Sequence, residues 1–268
     1  ISIFLYFVLI FLFQKVVFLL IHSSAGGGIS ENDIFEVLYH GLPLDLSMSG
    51  YLTVLPALVL IMSIWLRPDI TTGIYSIYFG IVLTLIAIVG VVDIIVYPFW
   101  GFHFDSTVFL YLQNPKGTLA SATGLQLLIG IVSIAAYAFV LIVGYKYIIR
   151  AQVLKLTVPK SIIKTAPVLL LLAAILFLPI RGGVTVSTMN IGKAYYSDNM
   201  FFNHAAINPQ FNLMYSFFKS DDFASQYQFF EKAEAEAVFA RLNDQPRNDS
   251  IARLLNTDKP NIILFMLE

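Results

Sequence analysis

Four charged residues in or beside apolar stretches are the first candidates for chemistry. Lys15, Asp45 and Asp93 fall inside stretches apolar enough to cross a membrane, and Arg181 closes the last such stretch. Ionisable side chains inside a membrane are costly and commonly mark functional sites. Two interpretations stay open. In the first, Lys15 extends to the outer membrane surface while the carboxylates pair with it or contact headgroups. In the second, the four residues form a polar cavity at the outer leaflet that binds a lipid headgroup.

Glu268 is a further candidate, as a ligand for a metal ion. It follows six apolar residues, 262–267, that come directly after the turn sequence Lys-Pro-Asn. A short apolar run between turns is typical of a strand buried in a parallel α/β sheet, and functional sites form at the carboxyl ends of such strands. A carboxylate there suits Mg²⁺, Mn²⁺ or Zn²⁺. A single glutamate after a strand is nevertheless a weak signal, which by itself favours a structural role.

Membrane-spanning helices must position these candidates. The chain has 268 residues, of which 58% are hydrophobic and 12% charged, and its net charge is −1. This composition excludes an ordinary soluble globule, a disordered chain and a nucleic-acid-binding protein. Pro56 and Pro167 lie inside two of the apolar stretches, where neighbouring groups must satisfy the carbonyls that proline frees. The five predicted spans, each about 20 residues long, cover residues 1–21, 44–66, 74–97, 124–149 and 162–180.

The lysine and arginine residues between the spans predict their orientation, because cytoplasmic loops carry the excess of these residues. The connection between the fourth and fifth spans is basic, whereas residues 22–43 contain neither lysine nor arginine. We therefore expect the N-terminus inside and everything after Ile180 outside. The basic connection contains Lys146, Arg150, Lys155, Lys160 and Lys164.

The segment after Ile180 is richer in polar residues but strongly aromatic between 195 and 218. We expect short helices along the outer membrane surface, one of them capped by Asn199 and ending before Asn208-Pro209. His204 lies in this helix, where a structural role is favoured over a ligand or base. An amphipathic helix from 220 to about 242 and a turn-rich linker are expected to follow. The predicted domains are a membrane domain (1–180), a juxtamembrane linker (181–256) and the start of a further domain (257–268).

Three stretches resemble the lipoteichoic acid synthase-like membrane sulfatases of the alkaline phosphatase/sulfatase superfamily. They are Lys-Pro-Asn-Ile-Ile-Leu-Phe-Met-Leu-Glu at the end of the chain, Gly-Leu-Pro-Leu-Asp-Leu-Ser from Gly41, and Asn-His-Ala-Ala-Ile-Asn-Pro from Asn203. The resemblance implies an all-α, five-helix transmembrane bundle, juxtamembrane helices and the first strand of a truncated α/β sulfatase-like domain. It also implies that Glu268 binds a divalent metal (Mn, Mg or Zn), with the threonine nucleophile and other ligands downstream.

The resemblance further implies a function in the bacterial cytoplasmic (inner) membrane. The parent protein would transfer phosphoglycerol or phosphoethanolamine from a phospholipid headgroup to an extracytoplasmic glycan or lipid acceptor, through a phosphothreonine intermediate. A membrane-anchored sulfatase or phosphatase, and a non-catalytic scaffold or transport subunit, stay open as alternatives. Because the chain begins with Ile1 and ends within an apolar run, we expect it to be a fragment. With one candidate ligand and no nucleophile, it is predicted to be inactive alone.

Overall fold

The computed structural model describes residues 1–113, 123–154, 162–184, 186–219 and 229–243. Within these ranges the chain is mainly helical and contains no strand. The predicted strand at 262–267 and Glu268 lie outside them. Residues Ile1–Ser220 form one compact unit and Asp221–Glu268 a second. The first unit therefore includes the aromatic segment together with the apolar helices.

Four helical segments of the described chain are long and apolar enough to cross a membrane. They are α1 (Ser2–Ile21), α2 (Glu31–Met62), α3 (Pro68–Trp100) and a segment that begins with α5 (Gly124–Tyr145). The last continues through a π-helical turn (Lys146–Arg150) into α6 (Ala151–Leu154). A multi-pass membrane protein is thus the architecture that fits the chain.

The fifth predicted span is not confirmed as a single crossing helix. The stretch forms two shorter helices, α7 (Ile162–Ile175) and α8 (Phe177–Arg181), separated at Leu176. The second span begins earlier than predicted, at Glu31 instead of Leu44, because Ser30 caps α2. The Ser30 hydroxyl accepts from the Asp33 amide at 3.2 Å, and the Asp33 carboxylate accepts from the Ser30 amide at 2.8 Å. This capping box extends α2 through most of the predicted first loop.

Two of the prolines inside these helices, Pro56 and Pro98, have substitute donors for the carbonyls that they free. Pro56 has no amide hydrogen, so the carbonyl of Leu52 loses its helical partner, and the Tyr78 hydroxyl of α3 donates to it instead. Pro98 frees the carbonyl of Ile94 in the same way, and His22 Nε2 lies 3.1 Å from that oxygen. Side chains of neighbouring segments therefore satisfy both carbonyls.

Shorter helices complete the described structure. They are α4 (Val108–Gln113), α9 (Met200–Ala206), α10 (Pro209–Lys219) and, in the second unit, α11 (Lys232–Asn243). The predicted cap of α9 is confirmed, since Asn199 Oδ1 accepts from the Phe201 amide at 3.0 Å. The helix predicted from 220 to 242 is shorter within the described residues, because 229–231 are not helical.

Candidate functional site

The best-defined candidate site is a buried polar cluster where α9 and α10 meet the spanning helices. It begins with an ion pair between α1 and α2, in which Lys15 Nζ lies 2.5 Å from Asp45 Oδ2. The two side chains are only 2% and 0% exposed. The interpretation that Lys15 extends to the membrane surface is therefore wrong, whereas its pairing with Asp45 is confirmed.

Gly41 makes room for this ion pair. Lys15 Nζ donates a second hydrogen bond to the Gly41 carbonyl at 2.9 Å. A Cβ atom on Gly41 would lie 2.5 Å from Lys15 Nζ and 2.3 Å from the Ala206 carbonyl oxygen. Only glycine allows α1, α2 and α9 to approach this closely.

Asn208 connects the ion pair to the juxtamembrane helices. Its Nδ2 donates to Asp45 Oδ1 at 2.9 Å, and its own Oδ1 accepts from the Phe211 amide at 2.8 Å. The second bond caps the N-terminus of α10, where backbone amides otherwise lack helical partners. One fully buried asparagine thus begins a helix and binds it to a carboxylate of α2.

A second ion pair lies where α3 ends. Gly101 adopts a left-handed conformation (φ 72°) and turns the chain back, so that His103 and Phe104 reach Asp93. His103 Nδ1 lies 2.8 and 3.0 Å from the two Asp93 oxygens. The Phe104 amide donates to Asp93 Oδ1 at 2.7 Å. Asp93 therefore pairs with His103, and the expected pairing with Lys15 is wrong.

Both ring nitrogens of His103 face acceptors, which identifies it as an imidazolium. Nδ1 faces Asp93, and Nε2 lies 2.5 Å from the His204 carbonyl oxygen. A neutral ring would leave one unprotonated nitrogen against an oxygen lone pair. The electrostatics agree: burial lowers the pKa of His103, but the charge and hydrogen bond of Asp93, together with the hydrogen bond to the His204 carbonyl, raise it more, so the pKa lies above its ordinary value.

The pKa of His204 shifts in the opposite direction to that of His103, and the contacts of the His204 side chain are structural. Burial and the neighbouring charge of His103 lower the pKa of His204. Its Nδ1 lies 3.0 Å from the Tyr97 hydroxyl, which suits a neutral ring that accepts a hydrogen bond. The cluster therefore contains two ion pairs, Lys15–Asp45 and His103–Asp93. Pairing each cation with a carboxylate limits the free-energy cost of burying the charges.

Three further hydrogen bonds hold α10 against the spanning helices and the loop after α3. Gln210 Nε2 donates to the Ile86 carbonyl at 3.3 Å, and Asn212 Nδ2 donates to the Phe104 carbonyl at 3.0 Å. The Ser106 amide donates to Ser216 Oγ at 2.9 Å. The first turn of α10 is therefore buried against the spanning helices and the loop after α3, and the position of α10 relative to the membrane surface stays a prediction.

A small cavity separates the two ion pairs. Lys15 and Asp93 both line it, together with Gln14, Gly90 and Pro209, and its volume is about 10 Å³. This is about the space of one water molecule and is too small for a phospholipid headgroup. Arg181 takes no part in these hydrogen bonds or ion pairs among the described residues. Its carbonyl oxygen instead accepts from the Met189 amide at 2.9 Å.

Sequence reasoning missed His103, Asn208 and the Tyr97 hydroxyl as parts of this cluster. The available signal was a buried carboxylate followed within ten residues by glycine and histidine, a pattern that allows the chain to turn back onto the carboxylate. The described residues contain no group of three His, Asp or Glu side chains that could hold a metal ion. Glu268 lies outside those residues, so the metal site stays a prediction.

Comparison with known proteins gave no relative. No family model, no curated protein and no solved structure matches this chain. The resemblance to lipoteichoic acid synthase-like proteins therefore stays a prediction, and any function must be argued from the geometry.

Proposed function

We propose that this chain is the membrane-anchoring portion of an extracytoplasmic, metal-dependent transferase that moves phosphoglycerol or phosphoethanolamine groups from phospholipid headgroups. The observation that supports this best is the attachment of α10 to the spanning helices through Asn208 and Gln210. A segment fixed in this way gives the chain that follows a defined starting point at the bilayer. A headgroup transferase needs such a platform, because the acyl chains of its substrate stay in the membrane.

The proposal includes a specific topology. The pair α7 and α8 forms the fifth crossing, with the N-terminus inside and residues after Ile180 outside the bacterial cytoplasmic membrane. The basic residues between 146 and 164 support this orientation. The acceptor would be an extracytoplasmic glycan or lipid, and Glu268 would contribute one ligand to a divalent metal site.

We propose that Lys15, Asp45, Asp93 and Arg181 bind a headgroup only when α10 has moved away from the ion pairs. Three of these side chains line or flank the small cavity and already have protein partners. A headgroup would reach Asp45 only after Asn208 has moved away from it. While α9 and α10 are packed on the spanning helices, Asp45 binds Asn208 of α10 directly, and Asp93 binds α9 through His103.

The platform role is tested by comparing two substrates with the full-length parent protein. The Asn208→Ala variant removes the amide that binds Asp45 and loosens α10. We expect it to lower transfer from phosphatidylglycerol in vesicles several-fold, while hydrolysis of a water-soluble phosphodiester stays unchanged. Asn190→Ala is the matched control, because its amide bonds only locally, to the Thr188 carbonyl.

The outcomes separate the alternatives. Equal loss of both activities would show that Asn208 acts on the catalytic domain itself, against the platform role. Turnover of the lipid by water alone would favour the anchored hydrolase. Absence of turnover of either substrate by the unaltered parent would favour a scaffold or transport subunit. The 268-residue chain alone is expected to turn over no labelled phosphatidylglycerol.

A further inference from the structure

An apolar groove lies beneath α10, apart from the polar cluster. Its volume is about 360 Å³, which lies within the range of roughly 300–1,000 Å³ for small-molecule pockets. Met48 of α2 and Leu85 and Val89 of α3 form one wall, and α10 contributes Leu213 and Met214. Phenylalanine rings of α4 and α10 complete the lining.

The groove lies on two helices that we assign to the membrane, where lipid is available to it. Both α2 and α3 are long and apolar enough to cross a membrane. Val89 lies eleven residues before the end of α3 at Trp100, or roughly 16 Å along the helix at 1.5 Å per residue. Because α3 has 33 residues, more than the roughly 20 residues that cross the hydrocarbon layer, we place this middle stretch of α3 within the bilayer, where acyl chains can reach the groove.

The sequence of α10 is built to cover this groove. Gln210, Leu213, Met214 and Phe217 lie at positions i, i+3, i+4 and i+7, which form one face of a helix. The neighbouring residues Phe211 and Asn212 are buried, and Asn212 donates to the loop after α3. The helix therefore docks through Asn212 and lines the groove with Leu213, Met214 and Phe217, while Gln210 contributes to both.

Gln210 gives the groove a single polar group. The residue is 6% exposed, and its Nε2 donates to the Ile86 carbonyl. The Ile86 carbonyl, which also accepts from Gln14 Nε2 at 3.4 Å, is an acceptor, so we assign Nε2 of Gln210 to the side that faces it. The Oε1 atom is buried and has no hydrogen-bond partner among the described residues. A buried acceptor without a donor is costly, and a ligand with one hydroxyl would satisfy it.

We propose that this groove binds a diacylglycerol, a neutral glycerolipid with one free hydroxyl. One acyl chain lies along the apolar wall formed by α2, α3 and α10, and the hydroxyl donates to Gln210 Oε1. None of the lining residues is charged, so the groove offers no counter-ion for a phosphate. A lipid with a neutral, single-donor headgroup therefore fits better than a phospholipid.

The biological meaning of this site rests on the proposed function. Removal of the phosphorylated headgroup from a phospholipid by phosphoryl transfer leaves a diacylglycerol, with the new hydroxyl on the former phosphate-bearing carbon. A groove for diacylglycerol next to the headgroup-transferring domain would receive this product. The binding itself requires no turnover and can be tested alone.

The test uses the full chain in phosphatidylcholine nanodiscs that contain a diacylglycerol with a diazirine in one acyl chain. After irradiation we expect labelled peptides from residues 85–89 and 209–219. Unlabelled 1,2-dioleoylglycerol should compete about fivefold better than its 3-O-methyl ether, which cannot donate a hydrogen bond. The Gln210→Met variant should bind both competitors equally.

Two tryptophan variants locate the ligand. Leu85→Trp adds bulk to the groove at a half-exposed position and should reduce labelling by at least about tenfold. Leu128→Trp on α5 introduces the same side chain at a similarly exposed position outside the groove and should leave labelling unchanged. Equal competition by diacylglycerol, its methyl ether and phosphatidylcholine would overturn the proposal, and so would labelling that Leu85→Trp does not reduce. Diacylglycerol binding without any transferase activity would overturn only the proposed function.

Discussion

Asn208 donates its side-chain amide to Asp45, a carboxylate 163 positions earlier in the chain, at 2.9 Å. Both residues are fully buried. The bond joins α10 to the long apolar helix α2, and Lys15 holds the other carboxylate oxygen. Charge inside this membrane protein is thus used to attach the segment that follows the apolar helices.

Removal of the Asn208 amide should destabilise the first unit. We expect Asn208→Ala to lower the free energy of unfolding by about 1–3 kcal/mol, because Asp45 loses a buried donor and α10 loses its cap. Unfolding in detergent micelles, followed by circular dichroism, measures the change. Asn190→Ala should change stability by less than about 0.5 kcal/mol. Equal effects of the two variants would contradict this reading of Asn208.

The Lys15–Asp45 pair should behave as a buried ion pair in a double-mutant cycle. Lys15→Met leaves an unpaired buried carboxylate and should cost about 3–5 kcal/mol. Adding Asp45→Leu removes that carboxylate, so the double variant should regain part of the lost stability. The same unfolding assay measures Lys15→Met, Asp45→Leu and the double variant. If the losses of unfolding free energy in the two single variants add up to the loss in the double variant, Lys15 and Asp45 do not stabilise each other.

Docking of α9 should weaken as the pH rises. The pKa of His103 is raised in the folded protein, so the protonated state contributes stability that is present below the ordinary histidine value of about 6.5. This stability is lost as the pH rises through the higher folded-state pKa. Labelling of an Ala205→Cys variant by a water-soluble maleimide measures exposure of α9, since position 205 is 1% exposed and the chain has no other cysteine.

Two histidine variants give the control for this pH dependence. His103→Gln should increase labelling already at pH 6 and remove its dependence on pH, once the intrinsic reactivity of the thiol is corrected with an exposed Val186→Cys variant. His204→Gln should keep the dependence, because the His204 backbone carbonyl is the group that contacts His103. The opposite pattern would assign the titration to His204.

Pro56 and Tyr78 should be energetically coupled. Tyr78→Phe leaves the carbonyl of Leu52 without a donor and should cost about 1–3 kcal/mol. In a Pro56→Ala background the helix supplies its own amide to that carbonyl, so the same substitution should cost clearly less. Thermal unfolding of the four variants gives the coupling energy. A cost that is the same in both backgrounds would show that the Tyr78 hydroxyl does not act by replacing the amide hydrogen that Pro56 lacks.

The sequence predicted four of the five apolar spans, though not the early start of α2 at Glu31, because the length and hydropathy of a span are local properties. It could also place Asn199 as a helix cap, since capping involves residues two or three positions apart. It did not predict the partner of Asp93, because His103 reaches the carboxylate through a turn set by Gly101. Nor did it predict that Asn208 would bind Asp45, a contact that depends on how α10 inserts between α2 and α3.

Composition also did not predict how α10 packs. Its aromatic and polar residues suggested a helix at the membrane surface, but Gln210 and Asn212 donate to carbonyls of α3 and the loop after it. Polar side chains are usual at a surface, and the sequence does not distinguish them from polar side chains with buried partners. The split of the fifth apolar stretch at Leu176 likewise has no clear signal in its residues.

The central claim is that α10 is fixed on the spanning helices in the membrane. Its most direct test is cross-linking of a Ser106→Cys, Ser216→Cys variant with a short bifunctional thiol reagent in native membranes. These positions are in contact, with the Ser106 amide 2.9 Å from Ser216 Oγ, and the chain has no other cysteine. We predict efficient intramolecular cross-linking that falls several-fold when Asn208→Ala is added. No cross-link between the two positions, although each cysteine alone reacts with the reagent, would contradict the docked arrangement.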